Sequence, residues 1–124
     1  MAEGLITALA NQLLSGTADV HDYAWFKLHV GAPGAAGTAN PATETTRKQV
    51  TWGTPAGGSM ASVTTDLVWT SILGSEDATH FSMWDASTAG NCGFTGTVTA
   101  NPYTAGDTYT VAISGLTASF TLAS

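Results

Sequence analysis

Three histidines, nine carboxylates and a lone cysteine are the residues here whose types could do acid–base, metal or nucleophilic chemistry. Their spacing argues against each in turn. His21, His29 and His80 form no closely spaced pair of the kind a helix-borne metal site uses, and no Cys or carboxylate cluster accompanies them. His29 alternates with Lys27 in an extended segment, so we expect it on a wetter strand face. His80 opens a strand and reads as a loop-to-strand hydrogen-bonding residue. Sugar hydrolysis needs two carboxylates positioned across a bond, whereas Glu76 and Asp77 are adjacent and diverge in an extended chain, which fits a solvated loop. Asp85 and Asp107 sit in turns rich in Ser, Thr and Gly, where a carboxylate caps its own downstream backbone. Asp19 and Asp22 flank the exit of a helix, with too few oxygen ligands nearby for calcium. No G-x-S-x-G elbow supports a triad, and the glycines lack the Lys and helix of a phosphate loop. We expect no enzyme, no cofactor and no metal.

Charge narrows the partners. Lys27, Arg47 and Lys48 are the only basic residues against nine acidic ones, for a formal charge of −6. Phosphate backbones are bound through Lys and Arg, so nucleic acid is not an expected partner, nor is an anionic membrane; the acidic excess favours solubility. Cys92 has no partner for an internal disulfide. It reads as a small buried hydrophobe, with a reactive or intermolecular thiol as the alternative. The N-terminus carries no signal-peptide pattern. No window reaches the roughly 18 apolar residues of a membrane span.

The elements that would position these residues are mostly strands. An apolar fraction of 44% with fourteen glycines and four prolines describes a turn-rich β chain of one domain, residues 1–124. Leu5, Ile6, Leu9 and Leu13 recur at helical spacing, predicting an amphipathic helix over 3–15 that Gly16 ends. From residue 22 to the C-terminus the period is two. Ala24, Phe26, Leu28 and Val30 share one face, and Tyr23, Trp25, Lys27 and His29 the other. A long Gly/Ala/Thr loop near 31–45 follows, too long to be a mere connection, and we expect it to lie against a neighbouring subunit and to be dispensable for folding. Further strands are predicted near 47–52, 60–63, 66–70, 80–84 and 93–100, with a Pro55–Gly58 turn. A closing hairpin turns at Gly115, its second strand carrying Leu116, Ala118, Phe120 and Leu122. About eight short strands indicate an antiparallel β-sandwich, Ig-like or jelly-roll-like, with one N-terminal helix.

Four tryptophans offer the one other route to a ligand. Trp52 and Trp69 share faces with Val50 and Leu67 and are expected in the core. Trp25 and Trp84 lie in the opposite phase to Phe26 and Phe81, so they are expected at an exposed or subunit-contact face. A platform of such rings would serve a carbohydrate- or receptor-binding module, the alternative to a structural role. The helix stripe needs cover too, because a helix this short is marginal alone in water. It packs either on its own sandwich or on a neighbour. The candidate interface residues are therefore Leu5, Ile6, Leu9, Leu13, Trp25 and Trp84.

The segments "ALANQLL", "FKLHVGAPGAAGTAN", "TRKQVTWG", "ATHFSMWDASTAGN" and "AGDTYTVAISGLTASFTL" follow one another along nearly the whole chain. In that order the chain resembles a family of small virion structural proteins of tailed phages and prophages, described as tail-fibre, minor-tail or decoration proteins. The resemblance implies a non-catalytic part of the particle, made in the host bacterial cytoplasm. It also implies contacts with other capsid or tail proteins and with copies of the same chain. None of these segments encodes a reaction.

Overall fold

The computed structural model describes residues 4–16, 19–113 and 116–119. It is mainly β. A helix α1 (Thr7–Ser15) and a single 3-10 turn (Val20–Asp22) precede β1 (Trp25–His29), β2 (Lys48–Gln49), β3 (Ser59–Ala61) and β4 (Asp66–Trp69). Then come β5 (His80–Trp84), β6 (Cys92–Thr97), β7 (Tyr109–Ala112) and β8 (Thr117–Ser119). β1, β2, β5 and β6 form a four-stranded sheet in the order β2-β1-β5-β6, while β3 pairs β8 and β4 pairs β7 as two ribbons. Every pairing is antiparallel.

One face of the sheet and the two ribbons share an interior. Phe26, Leu28, Phe81 and Met83 project from the sheet, and Met60, Leu67, Trp69 and Tyr109 meet them from the ribbons. Phe26 stacks on Phe81 with ring centroids 4.6 Å apart and tilts against Trp69 at 6.3 Å. Trp52 and Trp69 are in this core, as their shared faces with Val50 and Leu67 predict. Each also settles its polar edge: the Trp52 indole donates to Tyr23 O (3.2 Å) and that of Trp69 to Thr46 O (2.9 Å). Between β3 and β4 side chains take up backbone groups: the Ser62 hydroxyl donates to Thr64 O, and Thr64 Oγ1 accepts from Thr51 N.

Three local expectations are met and two are corrected. β5 has the predicted bounds. Gly16 follows α1 with φ +75°, in the left-handed conformation of a helix stop. In the Pro55–Gly58 turn, Ala56 and Ser59 exchange both backbone hydrogen bonds across Gly57 (φ +60°) and Gly58 (φ +78°). Positive φ at both central positions is the two-residue turn that suits strand twist.

The helix begins at Thr7 rather than near residue 3. Ile6 N donates to Gly93 O and Gly4 O accepts from Thr95 N, so residues 4–6 are captured as a short strand beside β6, with Leu5 opposite Phe94. Sheet backbone groups here override helical periodicity. The closing hairpin is also corrected: β7 and β8 pair β4 and β3, not each other. The pairing Trp69↔Tyr109 brings two buried rings to 6.0 Å, a contact that pairing with β8 would forgo. Gly115, Phe120 and Leu122 of that expectation lie outside the described residues. Among the described residues no helix is long and apolar enough to cross a membrane.

Candidate interaction site

Several titratable residues act as structural ties spread through the fold. Asp19 caps the 3-10 turn, its Oδ1 accepting from Asp22 N at 3.2 Å. Asp85 accepts from Asn91 N and Nδ2, and Asp107 accepts from Thr104 N, both as turn caps. Glu76 is not simply solvated. Its carboxylate takes hydrogen bonds from Thr43 N (2.6 Å), Thr43 Oγ1 (3.1 Å) and Tyr103 Oη (3.2 Å), fastening the 31–45 loop to the strand ends. Asp77 similarly accepts from Asn101 N. Glu44, which sequence reading passed over, is buried and accepts from Thr46 N and Leu73 N. Among the described residues no group of three or more His, Cys, Asp or Glu could hold a metal ion.

His29 departs most from expectation. It is 0% exposed, with Nδ1 2.8 Å from Ala39 O and Nε2 2.7 Å from Ser82 Oγ. Burial, and more weakly the charges of Lys27 and His80, hold its pKa below the usual histidine value. A serine hydroxyl bonded to a neutral imidazole is the arrangement of a nucleophile and its base. Here Ser82 is itself fully buried and its oxygen accepts from the Trp84 indole at 2.7 Å, so no substrate carbon can approach it. His80, as expected, makes a local bond, its Nδ1 2.9 Å from Thr79 Oγ1.

The face of β1 and β5 that carries His29, Ser82 and Trp84 is covered by the chain itself. The loop from Gly31 to Thr45 folds back across it, a placement that sequence alternation does not reveal. Val30 N donates to Asn40 O and Ala42 N to Leu28 O. Gly37 is buried directly over Cys92. Trp84 on the same face is only 7% exposed. The Arg47 guanidinium lies 4.2 Å from its ring centroid and Lys27 Nζ 5.9 Å from it. Arg47 also donates through Nη1 to Ala86 O and Ala89 O, holding the 85–91 turn over the same ring. Alternation alone misled here, because it does not reveal what a distant loop covers. Cys92 sits under this cover, and burial pushes its thiol pKa up to about 11. It is the small buried hydrophobe of the two readings.

Among the described residues an open apolar groove lies at the N-terminal side. α1 packs on its own chain through Leu9, which is fully buried with Cδ2 against Gly93. Leu13 is half-buried, Leu5 is 45% exposed and Leu14 is 88% exposed. Between α1, the 3-10 turn and the β3–β8 ribbon runs a groove of about 840 Å³ whose walls include Leu5, Leu13, Val20, Met60 and Phe94. Of the six residues read as interface candidates, Leu9 and Trp84 are buried within the chain. Leu5, Ile6, Leu13 and Trp25 keep accessible surface. Leu14 was missed because it falls beside the helical stripe, and its exposure is its only signal. Over residues 1–119 the chain matches the family model described as podophage GP4 fiber I protein gp80. None of the curated proteins matches it.

Proposed function

The chain belongs to the podophage GP4 fiber I protein family, and on that premise we propose that it is a non-catalytic module of a tail fibre that docks a second virion protein chain in its N-terminal apolar groove. Membership of a fibre family makes it a structural component of a phage virion in contact with other virion proteins. The groove supports the finer reading. Leu5 on its wall is 45% exposed, and Leu14, next to the wall residue Leu13 in α1, is 88% exposed. Exposed apolar surface rimmed by polar residues is what a protein contact covers. Repeated copies in a particle let modest contacts act together, since avidity multiplies them.

The fibre location is favoured over capsid decoration by the family description. The carbohydrate- or receptor-binding alternative is weakened because Trp25 alone of the four tryptophans is not buried. Synthesis in the host cytoplasm accords with a free thiol at Cys92. The test is particle incorporation of a Leu5→Glu/Leu14→Glu variant. The purified variant should keep the parent's circular dichroism and melting temperature, yet be missing from assembled particles. Incorporation at the parental level would overturn the docking role. Quantifying the chain in separated tails and heads tests its location.

A further inference from the structure

His29 stands where β1, β5 and the 31–45 loop meet, and its hydrogen bonds have only one workable direction. Ala39 O can only accept, so Nδ1 carries the proton. Nε2 of the neutral ring then accepts from the Ser82 hydroxyl, and Ser82 Oγ in turn accepts from the Trp84 indole N–H. All three side chains are satisfied. A second proton on the ring reverses the middle bond: Nε2–H must donate to Ser82 Oγ. The serine hydrogen then faces two donors and no acceptor among its described partners, a cost of the kind that buried unsatisfied groups carry.

Burial outweighs what the surroundings offer the charged ring, which the backbone of Ala39 and Asn40 favours and the charges of Lys27 and His80 oppose. From its own strand it faces Lys27, and from β5 it faces His80, its cross-strand partner. The 31–45 loop contributes the backbone of Ala39 and Asn40, and no carboxylate acts on the ring. Full hydration of an imidazolium here requires the loop to lift, since the ring is 0% exposed. The loop is tied to the sheet by the bonds Val30 N to Asn40 O and Ala42 N to Leu28 O and to the chain beyond by the Glu76 clasp at Thr43, while Ala39 N to Pro33 O closes it on itself. Most of its residues between Gly34 and Pro41 are exposed, Gly37 being buried over Cys92, and a segment with so little of itself in the core can open locally.

We propose that His29 is an acid-operated latch on the 31–45 strap, whose protonation frees the strap from the sheet and uncovers Ser82 and Cys92. This goes beyond the docking role and is independent of it, since the groove lies on other residues.

Amide hydrogen exchange at about pH 7.5 and about pH 5, expressed as protection factors, tests the latch on the intact chain. Protection at Val30, Ala39 and Ala42 should fall by tenfold or more in acid, while the amides that pair β5 with β6 keep theirs. Cys92 should become open to 4,4′-dithiodipyridine over the same range, and the His29 imidazole nitrogens should titrate in step. His29→Gln, which cannot take the proton, should abolish the acid response, and His80→Gln should retain it. Unchanged strap protection while the His29 ring gains its proton would overturn the latch. So would an equal loss of protection over the whole chain, or a response that survives His29→Gln. Should the Gln variant fail to fold, the parental titration and exchange data decide alone.

Discussion

Gly37 crosses Cys92 so closely that a Cβ on the glycine would lie 2.4 Å from the thiol sulphur and 2.9 Å from Cys92 Cβ. Its φ of +74° is also one that side chains rarely adopt. Gly37→Ala should therefore combine backbone strain with overpacking and destabilise by about 2–4 kcal/mol. Urea denaturation checks this. A loss under about 0.5 kcal/mol, the range of an innocuous surface change, would show that the strap does not press on the sheet.

Cys92 should be inert near neutrality. With its thiol pKa raised to about 11 by burial and the strap above it, very little thiolate forms and little reagent reaches it. Ellman's reagent should leave the native chain unmodified over hours at neutral pH and label it fully in denaturant. Prompt native labelling would contradict the covered face.

Removing the serine hydroxyl at the centre of the buried relay should be costly out of proportion to its size. Ser82→Ala deprives both the Trp84 indole N–H and His29 Nε2 of their partner. At about 1–3 kcal/mol for each of the two buried groups left unsatisfied, a total loss of about 2–6 kcal/mol is expected. Thermal denaturation monitored by tryptophan fluorescence reads it, and a variant as stable as the parent would refute the assigned bonds.

Stability should decline as pH falls through the histidine range. The folded-state pKa of His29 lies below its unfolded value of about 6.5. Above that value neither state binds the proton and His29 contributes no slope. Below it the unfolded chain takes up a proton that the folded chain refuses, so folding weakens until the folded pKa is passed. The melting temperature should be lower at about pH 5.5 than at about pH 7.5, and His29→Gln should flatten the difference. An equal slope in both proteins would assign the effect to the carboxylates instead.

Much of the strand plan is legible in the sequence because it is written in local alternation. His80–Trp84 was read to its true bounds, and the burial of Trp52 and Trp69 follows from the phase they share with Val50 and Leu67. What escaped reading depends on distant chain. The second face of β1 and β5 looks wet because Lys27 and His29 lie on it, but a Gly/Ala loop with no hydrophobic signature of its own closes it. Leu5 and Ile6 fit a helical stripe, yet the open backbone groups of β6 recruit them as strand. The pairing of β7 with β4 and of β8 with β3 spans many residues, and spacing carries no record of such partners. The N-terminal apolar groove is only partly visible in the sequence: Leu5 and Leu13 of its walls lie on the helical stripe, whereas Val20, Met60 and Phe94 come from other elements.

The short antiparallel match of residues 4–6 with Gly93–Thr95 bears on how copies of this chain can crowd together without fusing. Along that stretch the donors and acceptors of β6 are already answered from within, so an incoming strand finds no ladder to join. Neighbours at that margin must recognise one another by the shapes and charges of side chains, which discriminate between partners as backbone amides do not. Concentrated copies are thereby kept from zipping into continuous cross-chain sheet along that margin.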